Sequence, residues 1–170
     1  KAPTHGLSDS ELESIGRAVG IAAIKYADLS ADTGRDYVFD LDRMVAFEGD
    51  TGPYLQYAHA RLSSLIEKAG DDFDPDAPLR IEAAEERKLA LLLLRYGTTV
   101  QDAGAALEPS RLCRYLYALA TEFSTFYNAC PVLKAENPGI RGSRLRLVAL
   151  VRRVLADGLD CLGMDAPSRM

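Results

Sequence analysis

The chain has 170 residues, with 25 acidic against 20 basic side chains and a formal charge of −5, which argues against a general nucleic-acid binder but not against a local basic site. At 48% hydrophobic and 26% charged it has an ordinary globular composition and can bury a core without disulfides or metal. Cys113, Cys130 and Cys161 stand far apart, there is no CxxC pair, no apolar run approaches the ~20 residues of a membrane span, and KAPTHGLSDSELE has no apolar signal segment, so the expectation is a cytoplasmic protein with buried, reduced thiols and no metal site.

Lys1 to Gly6 reads as a loose lead-in. Ser8 with Glu11 makes a capping box, so a helix starts near Asp9 and reaches Tyr26 or Leu29, with Ile15, Val19, Ala22, Ala23 and Tyr26 on its apolar face. Ser30 to Arg35 is a polar turn. YVFD is a short extended piece and LDRMVAFE a short helix. Asp36, Asp40 and Asp42 raise a metal reading, but calcium-loop spacing is missing, and carboxylates near helix starts complement the dipole.

The run GDTGP then opens the central helix, Tyr54 to about Ala69, with Asp50 or Thr51 as cap and Pro53 in its first turn. Asp71 to Pro78 is an acidic, proline-punctuated connector. A helix is expected over Leu79 to Tyr96, and Leu89 to Leu94, apolar nearly all round, predicts deep burial. Glu82, Glu85 and Glu86 fall in its first turns and receive no catalytic role. Gly97 breaks it, and Thr98 or Thr99 caps a short helix reaching Leu107.

Pro109 opens a helix whose seam is Leu112, Tyr115, Leu116, Leu119, Phe123, Phe126 and Cys130, and Pro131 ends or kinks it. Asn137 to Gly139 is a turn, after which Gly142 and Ser143 lead into a last helix to about Leu162, with Met164 to Met170 a short tail. Arg141, Arg144, Arg146, Arg152 and Arg153 lie within a segment free of acids. Arg146 and Arg153 face outward. Arg144 and Arg152 fall within or beside the apolar sector of Leu145, Val148, Val151 and Leu155, and a buried guanidinium such as Arg144 needs a carboxylate or carbonyl partner. No repeat and no strand alternation beyond four residues occurs, so the fold class is all-α, a helical bundle of about six helices.

The central helix carries two stripes. Leu55, Ala58, Leu62, Leu65, Ile66 and Ala69 face a core, and Tyr54, Tyr57, Arg61 and Lys68 run along its edge. Phenol rings a turn apart, followed by cations, suit unpaired bases and phosphates. Tyrosine at a core edge is also ordinary, because its ring is apolar and its hydroxyl seeks water. Tyr127 and Asn128, at the end of the seam, offer a stacking ring and an amide with the same two readings. His59 reads as a core-edge histidine. No nucleophile elbow, Gly-rich phosphate loop or HxxxH occurs, so no catalytic or metal-ligating residue is assigned.

Three blocks carry a family resemblance: DYVFDLDRMVAFEGDTGPYLQYAHARL (36–62), LEPSRLCRYLYALATEFSTFYNACPVLKAE (107–136) and SRLRLVALVRRVLADGLDCLGMDAPSRM (143–170). In that order and spacing they resemble the arginyl-tRNA synthetases, over nearly the whole chain. The resemblance implies a DALR-type anticodon-binding domain at 50–170, preceded over 1–49 by the end of the catalytic half's helical stem-contact region. It implies that Tyr54, Tyr57, Arg61, Tyr127 and Met170 line a pocket for splayed anticodon bases; Lys68, Asn128 and Arg146, read from the stripe, the seam end and the basic segment, are further candidate contacts. The HIGH and KMSKS motifs of the class are absent, so the expectation is a C-terminal portion, a monomer that binds arginine tRNA but does not charge it. ATP and Mg belong to the parent enzyme, and its catalytic domain is the other expected partner. Ser63, Ser64 and Glu67 stand where the family is often basic, and Pro131 where it commonly has a basic or apolar residue. The competing reading is a helical protein–protein scaffold without RNA binding.

Overall fold

A computed structural model describes residues 6–32, 34 and 36–170. The lead-in expected over Lys1–Gly6 falls outside them except for Gly6. Among the described residues the chain is all-α and has no strand: α1 (Asp9–Ser30), α2 (Leu41–Met44), α3 (Gly52–Ala69), α4 (Ala84–Leu94), α5 (Tyr96–Ala106), α6 (Pro109–Ala129) and α7 (Pro138–Cys161). Six of these are long and α2 is a single turn, which agrees with the expected bundle. None is long and apolar enough to cross a membrane.

The helices start where the sequence satisfies their free N–H groups. Ser8 and Glu11 form the capping box of α1. Thr51 caps α3 by accepting from the Tyr54 N–H at 3.2 Å, and Asn137 caps α7. Asp40 accepts from the Arg43 N–H at 3.1 Å and so caps α2.

The core lies where α3 packs between α1 and α7, and where α6 meets α1, α4, α5 and α7. The predicted seam of α6 is buried from Leu112 to Phe126. Two crossings depend on glycine. A Cβ at Gly52 would sit 2.4 Å from the Ala22 carbonyl oxygen, so α1 and α3 touch only because none is present. One at Gly158 would meet Leu116 Cδ2 at 2.5 Å. Tyr26 crosses the same region, its buried hydroxyl 2.5 Å from Asp50 Oδ1 and 3.1 Å from the Cys113 carbonyl. Burial, reinforced by Asp50, pushes that phenol well above its usual range.

Several expectations are corrected. The short helix expected over 41–48 is only Leu41–Met44. The helix expected from Leu79 starts at Ala84, because 79–83 lies extended along α7, where the Ser143 hydroxyl receives the Arg80 N–H and donates to the Arg80 carbonyl. Of the leucines predicted to be deeply buried, Leu89 is, but Leu91 is 52% and Leu94 80% exposed. α4 is short and packs along one side, so an all-round apolar run leaves part of itself in solvent. The break before α5 falls at Arg95, not Gly97, and Thr99 donates back to the Arg95 carbonyl instead of capping. α7 begins at Pro138, with Gly142 and Ser143 inside it. Cys113 and Cys130 are buried but Cys161 is exposed, and all three are free thiols. Burial pushes the Cys113 thiol up to about 12.

Candidate nucleic-acid interface

The tail after α7 does not hang free. Met164 is buried, and the residues that follow run across α3. Gln56, fully buried on α3, donates its amide to the Asp165 carbonyl at 2.8 Å and to the Ala18 carbonyl at 3.3 Å. His59 Nδ1 donates to the Pro167 carbonyl at 2.9 Å. Burial holds this imidazole below its usual range, against the lifting effect of that bond and with help from the Arg152 charge, so Nδ1 carries the proton of a neutral ring. Lys25 donates to the Gly163 carbonyl from α1. The core-edge histidine is therefore a tail anchor.

So held, Ser168, Arg169 and Met170 form one wall of a cleft of about 520 Å³. α3 supplies Tyr57, Arg61, Ser64 and Lys68, α6 supplies Tyr127, and Leu7 with Leu12 of α1 completes the lining. Tyr57 is 47% exposed. The Arg61 guanidinium lies 4.6 Å over the Tyr127 ring, and that ring packs 6.0 Å from Phe123. Stacked in this way, Arg61 is held in place while keeping its N–H groups for an outside acceptor. Arg61 and Lys68 pair with no carboxylate among the described residues. Among the described lining residues, Glu67 is the only acidic side chain. Rings, a guanidinium and an ammonium on one concave surface suit the binding of an anionic ligand with planar groups.

The structure thus gathers Tyr57, Arg61, Lys68, Tyr127 and Met170 from three separate segments, 57–68, 127 and 170. Tyr54, Asn128 and Arg146 lie elsewhere. Tyr54 packs edge-on against Tyr117, 5.8 Å between centroids, and does not line the cleft. Asn128 is exposed outside it. Arg146 lies on another face and donates to the Ala77 carbonyl at 2.6 Å. Arg144 finds the partners it needs in Glu86 (2.6 Å) and the Pro131 carbonyl (2.8 Å). Sequence reasoning missed Phe47, whose half-exposed ring meets Tyr57 edge-on at 6.3 Å, along with Leu12 and Arg169. Leu12 stands one turn before Ile15 and extends the α1 stripe, so periodicity could have found it. Phe47 sits in irregular chain and offered no such signal.

The DALR anticodon binding domain family matches residues 55–170. The chain is 52% identical over 167 residues to the arginine–tRNA ligase of Frankia casuarinae, covering 98% of this chain and 28% of that protein. It is 50% identical over 165 residues to that of Thermobifida fusca, covering 96% and 29%. Among solved structures it resembles Thermus thermophilus arginyl-tRNA synthetase, with a TM-score of 0.88 at 39% identity over 98% of this chain and 29% of that one. It also resembles the Plasmodium falciparum enzyme, with a TM-score of 0.84 at 26% identity over 94% and 28%. The chain spans less than a third of the length of these relatives. It belongs to the DALR anticodon-binding domain family, in the form found in arginyl-tRNA synthetases.

Proposed function

We propose that this chain holds the anticodon arm of an arginine tRNA in the cleft between α3, α6 and the tail, and presents that tRNA for arginylation by a catalytic domain of the same enzyme. One observation carries the reading: Tyr57, Arg61, Tyr127 and Met170, distant in sequence, converge on one cleft beside unpaired cations. Tyr57 and Tyr127 stack on splayed bases, Arg61 and Lys68 hold phosphates or a base edge, and Met170 closes the pocket. Tyr54, packed on Tyr117, stands outside the cleft. Residues 50–170 form the anticodon-binding domain, and 1–49 are the end of the catalytic half's helical stem-contact region. ATP and Mg act on that other half. The protein works in the cytoplasm as a monomer.

The partner domain has a surface to meet. Val38 (88% exposed), Phe39 and Leu41 project from the chain between α1 and α3, and Ile21 and Ile24 project from α1. Exposed apolar side chains of this kind favour a protein contact, which gives the scaffold reading its share without displacing the RNA cleft.

The test is binding of arginine tRNA and a non-cognate tRNA to the wild type and to a Tyr57→Ala, Tyr127→Ala variant that still melts cooperatively. The expected result is a cognate preference that weakens steeply with salt, with a slope near −0.7 per single-strand phosphate contact. The variant should lose about 10- to 100-fold in affinity, the loss of one or two base stacks at ~1–3 kcal/mol each. Equal, salt-insensitive binding of both tRNAs, unmoved by the substitutions, would favour the scaffold.

A further inference from the structure

The outer face of α7 forms a second concave surface, a groove of about 770 Å³. Arg146, Arg152 and Arg153 line it, with His59 at its inner edge and Asp157 and Asp160 at one end. Four arginines elsewhere are paired with carboxylates: Arg111 with Glu108 at 2.5 Å, Arg114 with Asp32 at 3.1 Å, Arg141 with Asp72 at 3.5 Å and Arg144 with Glu86 at 2.6 Å. Arg152 and Arg153 have no carboxylate or hydrogen-bond partner among the described residues. Asp157 stands four residues after Arg153, the natural spacing for a helical ion pair. It instead accepts from the Tyr96 hydroxyl at 2.6 Å. Arg146 spends its hydrogen bonds on neutral carbonyls, so its charge is also uncompensated. An acidic chain that keeps guanidiniums unpaired in a concave surface has them available to an external anion.

The ligand must present several anionic groups. Arg146 and Arg153 are seven residues apart, about 10.5 Å along the helix axis, more than one carboxylate bridges. A sugar–phosphate backbone meets that requirement. The cleft across the tail exposes tyrosine rings for unpaired bases, whereas in this groove the phenyl ring of Phe73 is packed against the core and the guanidiniums stand over Ala149, Leu150 and Ala156, a surface for backbone rather than bases. The two surfaces border one strap: His59, at the groove, anchors Pro167, and the next three residues wall the cleft. We propose that the α7 groove binds phosphates of the double-helical stem whose loop occupies the cleft. This rests on the RNA reading of the cleft and adds a second contact to it.

The experiment compares two RNAs, a hairpin of the arginine anticodon arm and the loop sequence alone as a single strand. Each is titrated against the wild type, an Arg152→Gln, Arg153→Gln variant and an Asp160→Asn variant, with melting as the fold control. The first variant should bind the hairpin about tenfold more weakly, with a salt slope smaller by roughly one to two, while binding the single strand as the wild type does. Asp160→Asn, which removes an opposing charge, should tighten hairpin binding about two- to threefold, a gain that misfolding cannot produce. Unchanged hairpin binding in the arginine variant, an equal loss for both RNAs, or equal competition by polyglutamate would overturn the stem site while leaving the cleft standing. If the wild type binds neither RNA, the cleft reading falls and takes this one with it.

Discussion

At the scale of single residues, Glu86 shows how one side chain serves two structural ends. Its Oε2 accepts the N–H groups of Glu82 and Ala83 at the start of α4, and its Oε1 accepts from Arg144 of α7. Burial alone would raise this carboxyl, but the Ala83 N–H, Arg144 and the Glu82 N–H together hold it below its usual range. The unfolded chain therefore takes up this proton at a higher pH than the folded one. The stability it contributes is complete above about pH 4.5 and is lost as pH falls through the lower folded value. Arg144→Met leaves a buried carboxylate short of a partner and should cost about 3 kcal/mol by urea denaturation at pH 7. It should also make the acid limb below about pH 4.5 shallower. A variant as stable as the wild type, with the same acid limb, would mean that α4 and α7 are joined by other contacts.

Among elements, the crossings made at glycine set the geometry of the site. At Gly52 an added Cβ strikes backbone, the Ala22 carbonyl, which cannot move without moving α1. At Gly158 it strikes the tip of the Leu116 side chain, which can turn. Gly52→Ala should therefore cost about 3 kcal/mol and Gly158→Ala about 1–2 kcal/mol, measured by chemical denaturation. The reverse order would show that α1 gives way more easily than the α6–α7 packing. The starts of α1, α3 and α6 were legible because caps and prolines are local chemistry, as with Ser8, Thr51 and Pro109. The α6 seam was legible because one period held through it. The starts of α4 and α7 were not. The extended 79–83 segment is fixed by Ser143, more than sixty residues away, and nothing local announces it. The leucines of α4 misled because composition says how apolar a run is, not how much of it neighbours can cover. In the cleft, Tyr57 and Tyr127 could be named from pattern and resemblance, but their meeting depends on how α3 and α6 pack.

For the whole molecule, the tail is the last piece of the core and the first wall of the cleft. Its anchor at His59 is neutral in the folded state. The unfolded chain gains a proton near pH 6.5 and the folded chain only at lower pH, so the unfolded state binds more protons in that window. Stability should fall as pH drops from about 7 toward 5. His59→Asn keeps a donor near the Nδ1 position and removes the titration, so its stability should be flatter over that range while staying within about 1 kcal/mol of the wild type at pH 7.5. Thermal melts at the two pH values check this, and an unchanged slope would assign the acid sensitivity to other groups.

The chain has eight tyrosines and no tryptophan, so its near-ultraviolet emission comes from phenols alone. Tyr26 and Tyr96 hold their hydroxyls against carboxylates, a contact that drains the excited state. Tyr57 and Tyr127 have no such partner among the described residues, and they stand in the cleft where a stacked base would quench them. The side chains that would grip the ligand are therefore among the brighter chromophores, and the molecule carries its own optical probe of occupancy without a label.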